Sequence, residues 1–226
     1  MMLIVTTAAV ALLASTAIAA GAPAAAAAAL PPMIVNVTAA ADLSPQLVSL
    51  ILAEADAIWR PSGVTFAWRR AARVVVPYAR ASETGPYVPR TLRLTIGDQR
   101  TPMRGGRTPL GWIVFDDETA PAQEIYLSHA NAQTLLDESR GVVGAASQMP
   151  IAQRELLMAR AMGRALAHEL GHYLLASKAH TPRGLMKAVL TAVELFSNDA
   201  HGFRTEPAQR RAVAARLRGE PLVASR

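Results

Sequence analysis

The chain has 226 residues, enough for one domain with residues to spare, and 51% of them are apolar. Its formal net charge is +6, but the basic residues are scattered and form no run of the kind that marks a nucleic-acid-binding arm. The absence of cysteine excludes disulfides, thiol catalysis and a lipid-anchored N-terminus.

The start of the chain differs from the rest in composition. Nothing before Asp42 is charged, residues 3–20 are almost entirely apolar, and Ala17 and Ala19 suit a signal-peptidase site. We therefore predict a signal peptide over residues 1–20, so that the protein is secreted or periplasmic. An uncleaved membrane anchor is the alternative, since no basic residue precedes the apolar stretch.

A spacer and a single domain follow. Residues 21–32 are rich in Ala and Pro, which is typical of a flexible spacer. The remaining chain, residues 33–220, contains no internal repeat and no second linker, and we predict that it forms one domain.

The domain begins with a predicted strand, helix and strand. Residues 33–38 (MIVNVT) are short and β-branched, which favours a strand. Ser44 is a predicted N-cap, and apolar residues recur at helical spacing over residues 45–59. The next strand is predicted at residues 64–68, with an extension at residues 74–76.

Three further strands precede a long helix. They are predicted at residues 92–96, 111–115 and 124–128. An irregular loop at residues 77–90 precedes the first of them, and another at residues 97–110 separates the first from the second.

Helices dominate the last third of the chain. A long helix is predicted from Pro150 to about Ser177, a short one at residues 187–196 and a last one at residues 207–217. The order of elements predicts an α+β fold, with a mixed twisted sheet of about five strands, a long helix and a C-terminal helix.

Two histidines in the segment AHELGH lie one helical turn apart. His168 and His172 are four residues apart, which places both rings on one face of the predicted helix, where they can share a metal ion. They lie opposite an apolar stripe formed by Leu166, Leu170 and Leu174. The pattern predicts that the stripe packs in the core and that the two imidazoles face a cleft.

Glu169 completes the H-E-x-x-H pattern of zinc hydrolases. Directly after a ligand it is poorly placed to bind the metal, but its carboxylate can reach a water that zinc has made acidic. A carboxylate can take up a proton, which an amide at this position could not do, and the shorter Asp would not reach. We therefore predict that His168 and His172 bind zinc and that Glu169 is the general base.

A catalytic zinc site needs a third protein ligand and an open position. If the helix continued, His180 would lie about 12 Å beyond His172 along the axis, too far to share an ion. The chain must therefore leave the helix and fold back, and the turn-forming residues 181–184 (TPRG) allow this.

These residues resemble the metzincin clan of zinc metallopeptidases, and in particular a matrixin-like secreted protein of bacterial type. The likeness is carried by the motif at residues 168–172, the third histidine after it and the Gly-Leu-Met that follows. It implies the zincin fold, zinc as cofactor, the three histidines as ligands, Glu169 as general base, and Met186 in a methionine-containing turn beneath the metal.

The spacing departs from the clan's usual H-E-x-x-H-x-x-G-x-x-H. Leu175 stands at the position of the glycine, Lys178 at that of the last histidine, and seven residues separate His172 from His180. Two inserted residues at the helix exit would explain this difference. The alternative third ligand is Glu194, as in the gluzincin clan, but we favour His180 because imidazole is the commoner ligand and Gly-Leu-Met follows it.

Other residues receive simpler interpretations. His129 and His201 are interpreted as polar loop residues. If the clan resemblance holds, residues 111–115 (GWIVF) form a sheet edge along which an extended substrate pairs through its main chain, and Trp112 and the basic loop at 98–110 shape subsites.

The sequence as a whole predicts an exported, monomeric zinc endopeptidase. Its partners are peptide or protein substrates, with no nucleic acid and no membrane contact beyond an uncleaved anchor. Two alternatives stay open. One is a secreted or surface binding protein with a structural or degenerate zinc site, which His180 and Glu194 would close together, and the other is a zinc amidase with a non-peptide substrate such as a cell-wall amide.

Overall fold

The computed structural model describes residues 30–70, 91–99, 109–117 and 120–219. Several predicted segments lie outside the described residues: the signal peptide, most of the spacer, the strand extension at 74–76, the loop at 77–90 and most of the basic loop at 97–110. Within the described ranges, no helix is both long enough and apolar enough to cross a membrane.

Five strands in the described part of the chain form one mixed sheet. They are β1 (Met33–Ala39), β2 (Phe66–Arg70), β3 (Thr91–Gly97), β4 (Gly111–Phe115) and β5 (Pro121–Ser128). Their order is β2-β1-β3-β5-β4, in which the first four are parallel and β4 pairs antiparallel with β5 at one edge. The predicted α+β class with a mixed sheet is confirmed.

One face of the sheet lies in the hydrophobic core because apolar side chains alternate with polar ones along the strands. Val37, Leu94 and Ile125 are neighbours across β1, β3 and β5, and all three are buried. The helices contribute apolar side chains to the same core. They are α1 (Pro45–Trp59), α2 (His129–Glu138), α3 (Arg140–Val143), α4 (Ile151–Leu175), α5 (Ala192–Phe196) and α6 (Pro207–Arg218).

Helix α1 packs along α4 and is fixed at both of its ends. Its N-cap is Ser44, as predicted, whose hydroxyl accepts a hydrogen bond from the Leu47 N–H at 3.0 Å. At the other end the indole Nε1 of Trp59 donates to the Ala167 carbonyl at 3.0 Å. This contact ties α1 to α4 next to the H-E-x-x-H segment.

The environment of α4 differs from the prediction. The apolar stripe was expected to pack in the core while the opposite side faced a cleft, but every residue from 157 to 174 is buried except the half-buried Arg160 and His168. The reason is that α4 contacts α1, strands β4 and β5, and helices α2, α5 and α6. The helix ends at Leu175, two residues earlier than predicted.

Three further details of the prediction were wrong. His129 is the first residue of α2 rather than a loop residue, because the Ser128 hydroxyl accepts from the Asn131 N–H and starts a helix there. The short helix predicted at residues 187–196 covers only α5 (Ala192–Phe196), because Thr191 is its N-cap. Strand β2 begins at Phe66 and not at Val64.

Candidate metal centre

Three imidazoles converge at the C-terminal end of α4. The ligand atoms of His168, His172 and His180 all lie within 4.8 Å of one another. The ring of His172 is buried, that of His168 half-buried and that of His180 exposed, so the cluster is open on one side. The structure thus brings together the three histidines that the sequence singled out.

Two backbone carbonyls orient the helical pair of rings. Nδ1 of His168 donates to the Leu185 carbonyl at 2.8 Å, and Nδ1 of His172 donates to the Ser177 carbonyl at 2.7 Å. Because a carbonyl can only accept, both Nδ1 atoms carry the proton. In each neutral ring the lone pair is therefore on Nε2.

The two Nε2 atoms face each other at 3.0 Å. Burial lowers the pKa of His168 to about 4 and also lowers the pKa of His172, so both rings are neutral near pH 7. Two lone pairs at this distance repel, and a cation between them removes the repulsion. Because neutral imidazoles are good ligands for zinc, these residues fit a metal ion of that kind.

The chain leaves α4 through a residue in a strained conformation. Ala176 is left-handed, with φ of 45° and ψ of 51°, at the position where a glycine is usual. Such a conformation costs a non-glycine residue roughly 1–2 kcal/mol. It lets the Ser177 N–H return to the His172 carbonyl at 3.2 Å and brings the Ser177 carbonyl under the His172 ring.

A second turn brings the chain back beneath the cluster. The Thr181 N–H donates to the Met186 carbonyl at 2.8 Å, and Gly184 has a positive φ of 77°. Met186 is buried, and its sulfur occupies the space that a Cβ atom on Gly171 would need. The predicted turn residue therefore packs directly against the histidine-bearing part of α4.

Glu169 lies between α4 and strand β4. Burial raises the pKa of its carboxyl to about 8, and a hydrogen bond from the Ile113 N–H opposes this rise. A Cβ atom on Gly111 would lie 3.3 Å from Cγ of Glu169, so the glycine leaves room for this side chain. The carboxyl is thus held beside the edge strand of the sheet.

The alternative ligand Glu194 is engaged elsewhere. Its carboxylate accepts from Lys187 Nζ at 2.6 Å and from the Thr191 N–H at 2.8 Å, and it lies outside the group of converging histidines. The hydrogen bond from Lys187 holds the pKa of Glu194 below its usual range. Its contacts are those of a helix cap and an ion pair.

The two other histidines are also placed outside the cluster. Nδ1 of His129 lies 3.1 Å from Asp98 Oδ1, and His201 pairs with Asp199, two residues before it. The first contact joins the start of α2 to the residue after β3, and the second lies within one short segment.

Strand β4 forms an edge of the sheet on the side of the cluster. No strand in the described residues pairs with its outer side, and Val114 is 50% exposed. The rings of Trp112 and Tyr126 stack at a centroid distance of 5.4 Å across β4 and β5. At the end of the strand the ring of Phe115 meets the His172 ring edge-on, with centroids 6.4 Å apart.

Several groups at the site were not anticipated from the sequence. The carbonyls of Ser177 and Leu185 and the N–H of Ile113 belong to the backbone and have no sequence signal. Arg164, a buried charge one turn before His168, could have been noticed as a lone cation in an otherwise apolar run (AMGRALA).

Comparisons with known proteins give only a distant structural match. No protein-family model matches the chain, and no curated protein matches it. Among solved structures, the chain is similar to a crystal structure of archaemetzincin from Methanopyrus kandleri, at 16% identity and a TM-score of 0.47, over 83% of this chain and 96% of that one. A match this distant does not assign an activity to the chain.

Proposed function

We propose that the protein is a zinc-dependent metallopeptidase in which His168, His172 and His180 hold the metal and Glu169 is the general base. The observation that carries this proposal is the convergence of three imidazoles within 4.8 Å, with a buried carboxyl on the residue after the first of them. Three protein ligands with one open side are the arrangement of a catalytic rather than a structural zinc site.

Zinc is the metal that best matches these donors, because three neutral imidazoles suit a tetrahedral ion with one position left over. When bound, it supplies a Lewis acid that polarises a carbonyl and lowers the pKa of a water molecule. The hydrogen bonds from His168 and His172 to backbone carbonyls fix both rings before the metal arrives, which limits the entropy lost on binding.

Glu169 performs the proton transfers in this proposal. Its carboxylate takes a proton from the attacking water and delivers it to the leaving amine. A positive ion among the neighbouring imidazoles favours the ionised form of the buried carboxyl, which a base requires. The Ile113 N–H, which donates to this carboxyl, keeps it in place.

The substrate is proposed to bind as an extended peptide along β4. An antiparallel edge strand offers main-chain donors and acceptors to a peptide of almost any sequence. Glu169 contacts this strand next to Gly111 and Ile113, so a peptide added to the sheet would pass close to the base and the histidines. Trp112, stacked on Tyr126, is a candidate subsite residue.

The test is zinc content and hydrolysis in the wild type and Glu169→Gln. We expect about one zinc per chain in both, hydrolysis of an unstructured protein by the wild type, and a loss of roughly 100-fold or more in kcat for the variant. A zinc-loaded wild type that cleaves no peptide would favour a binding protein with a structural site. Cleavage of cell-wall amides alone would favour the amidase, and a fully active variant would exclude Glu169 as the base.

A further inference from the structure

Arg164 is the most deeply buried charge among the described residues. Its side chain is 1% exposed, and it lies one helical turn before His168 on α4. Its Nε donates to Glu54 Oε1 at 2.8 Å, and its two terminal nitrogens donate to the carbonyls of Glu194 and Ser197. Its Cζ lies 4.8 Å from the centroid of the Phe203 ring.

A buried ion pair is weak evidence for stability, since desolvation of the charges offsets their attraction. The more specific role of this guanidinium is to connect α4 to other segments of the chain. The three acceptors come from α1, from α5 and from the residue after α5, and the planar fork of arginine can reach all of them at once. Arg164 therefore joins the segment around α5 to the helix that bears the histidines.

The connection continues from α5 to the turn beneath the cluster. The backbone of Glu194 is bound by Arg164, while its carboxylate accepts from Lys187 Nζ at 2.6 Å. Lys187 directly follows Leu185 and Met186, and the Leu185 carbonyl accepts from His168 Nδ1 at 2.8 Å. A chain of contacts thus leaves α4 at Arg164 and returns to it at His168.

The turn needs such support because it has little regular structure of its own. Between α4 and α5 its backbone is held by the Thr181–Met186 hydrogen bond, a Lys187–Gly184 turn and a bond from the Leu185 N–H to the Arg204 carbonyl. The buried side chains of Leu185 and Met186 hold one side of this segment, and the ion pair of Lys187 anchors the residue that follows them.

We propose that Arg164 is a positioning residue for the metal centre: through Glu194 and Lys187 it holds the Leu185 carbonyl in the place that orients the His168 ring. This inference rests on the proposed function only where it concerns the metal. The orientation of the ring itself is a property of the metal-free chain. Groups that hold a ligating histidine through its second nitrogen typically change metal affinity by 10–100-fold when removed.

Arg160 provides a matched control. It lies one turn earlier on the same helix, and its Nη1 also reaches a backbone carbonyl of α5, that of Phe196, at a longer distance of 3.4 Å. Its side chain is not linked to Glu54, to Glu194 or to Ser197 by any hydrogen bond in the described residues. Arg160→Met removes another guanidinium from the side of α4 that contacts α5. It leaves the contacts from Arg164 through Glu194 to Lys187 in place.

The experiment compares Arg164→Met, Glu194→Gln, Lys187→Met and Arg160→Met in the full chain with two measurements. The first is the zinc dissociation constant, from competition with a chelator. The second is the ¹⁵N-detected NMR signal of the His168 Nδ1–H in metal-free protein, which reports the hydrogen bond to Leu185. We expect Arg164→Met to weaken zinc binding by about 10–100-fold and to lose the signal, with smaller effects of the same sign at Glu194 and Lys187.

Arg160→Met is expected to keep the wild-type His168 signal. Its zinc dissociation constant should stay within about twofold of the wild-type value. A folded Arg164→Met variant with the wild-type signal and affinity would overturn the proposal. If that variant does not fold, Glu194→Gln and Lys187→Met decide by the same two measurements, because both residues are partly exposed. If neither the wild type nor any variant binds zinc, the proposed function is wrong. The His168 Nδ1–H signal of the metal-free proteins then still tests the role of Arg164.

Discussion

The sulfur of Met186 fills the space beside Gly171 that any larger residue would need for its Cβ atom. Gly171 lies between Glu169 and His172, so this contact lies within the part of α4 that bears the candidate site residues. The indole of Trp59 lies on the same side, with Cζ2 at 3.6 Å from the same point. The small residue in the H-E-L-G-H segment is thus explained by what packs on it.

Gly171→Ala is therefore expected to destabilise the protein by about 1–3 kcal/mol, because the added methyl overpacks a buried site. Chemical denaturation of metal-free protein measures this. Gly141→Ala is the control, since a Cβ atom there meets nothing within 4 Å and little change is expected. Shortening the partner in Gly171→Ala/Met186→Ala should cost less than the sum of the two single changes. Strict additivity would show that the sulfur is not what excludes the methyl.

His180→Ala is expected to weaken zinc binding by at least 100-fold, because two imidazoles then remain where a zinc site needs three protein ligands. Glu194→Gln should still bind about one zinc per chain at saturating metal, since its carboxylate is bound to Lys187 and Thr191. Both are checked by metal analysis after dialysis against buffered zinc. Undiminished affinity in His180→Ala would place the third ligand elsewhere.

Glu169→Gln should change the pH dependence of stability in metal-free protein. Burial raises the pKa of Glu169 to about 8 from its ordinary value of 4.5, so the folded state binds the proton more tightly than the unfolded state. The ionised carboxyl thus costs stability that is absent below about pH 4.5 and complete above about pH 8. The advantage of the variant should grow across this window to a few kcal/mol.

Denaturation of chelator-treated protein at pH 4, 6 and 8 measures the difference between Glu169→Gln and wild type. All histidines are common to the two proteins, so their titration largely cancels. A difference that stays constant with pH would mean that the carboxyl is solvated in the folded state.

Spacing made part of this site predictable from the sequence. The four-position spacing of His168 and His172 fixes their relation on any helix, and the pattern of apolar residues predicted five strands close to their observed bounds. The sequence could show only that the chain must fold back for His180 to join the other two histidines, and not how it does so. This return depends on Ala176 adopting a left-handed conformation, which an alanine does not signal.

Tertiary contacts determined the features that the sequence did not predict. The burial of Glu169 depends on β4, whose place next to β5 follows from the order of the sheet and not from its own five residues. Helix α2 was missed because its sequence, HANAQTLLDE, has few apolar residues, and the cap by Ser128 starts it. Likewise, the links of Arg164 join residues 30 to 110 positions apart, which local patterns do not encode.

Trp59→Phe should separate the packing of α4 from its metal chemistry. The change removes the hydrogen bond from Nε1 to the Ala167 carbonyl and leaves a small cavity at a fully buried position, which together cost roughly 2–3 kcal/mol. Because Trp59 bonds to the Ala167 carbonyl and packs beside Gly171, and is not among the three converging histidines, zinc affinity should change little. Thermal unfolding with and without saturating zinc should then give similar decreases in Tm, since the stabilisation by bound metal is the same in both proteins. A decrease confined to the zinc-loaded protein would instead place Trp59 among the residues that shape the metal centre.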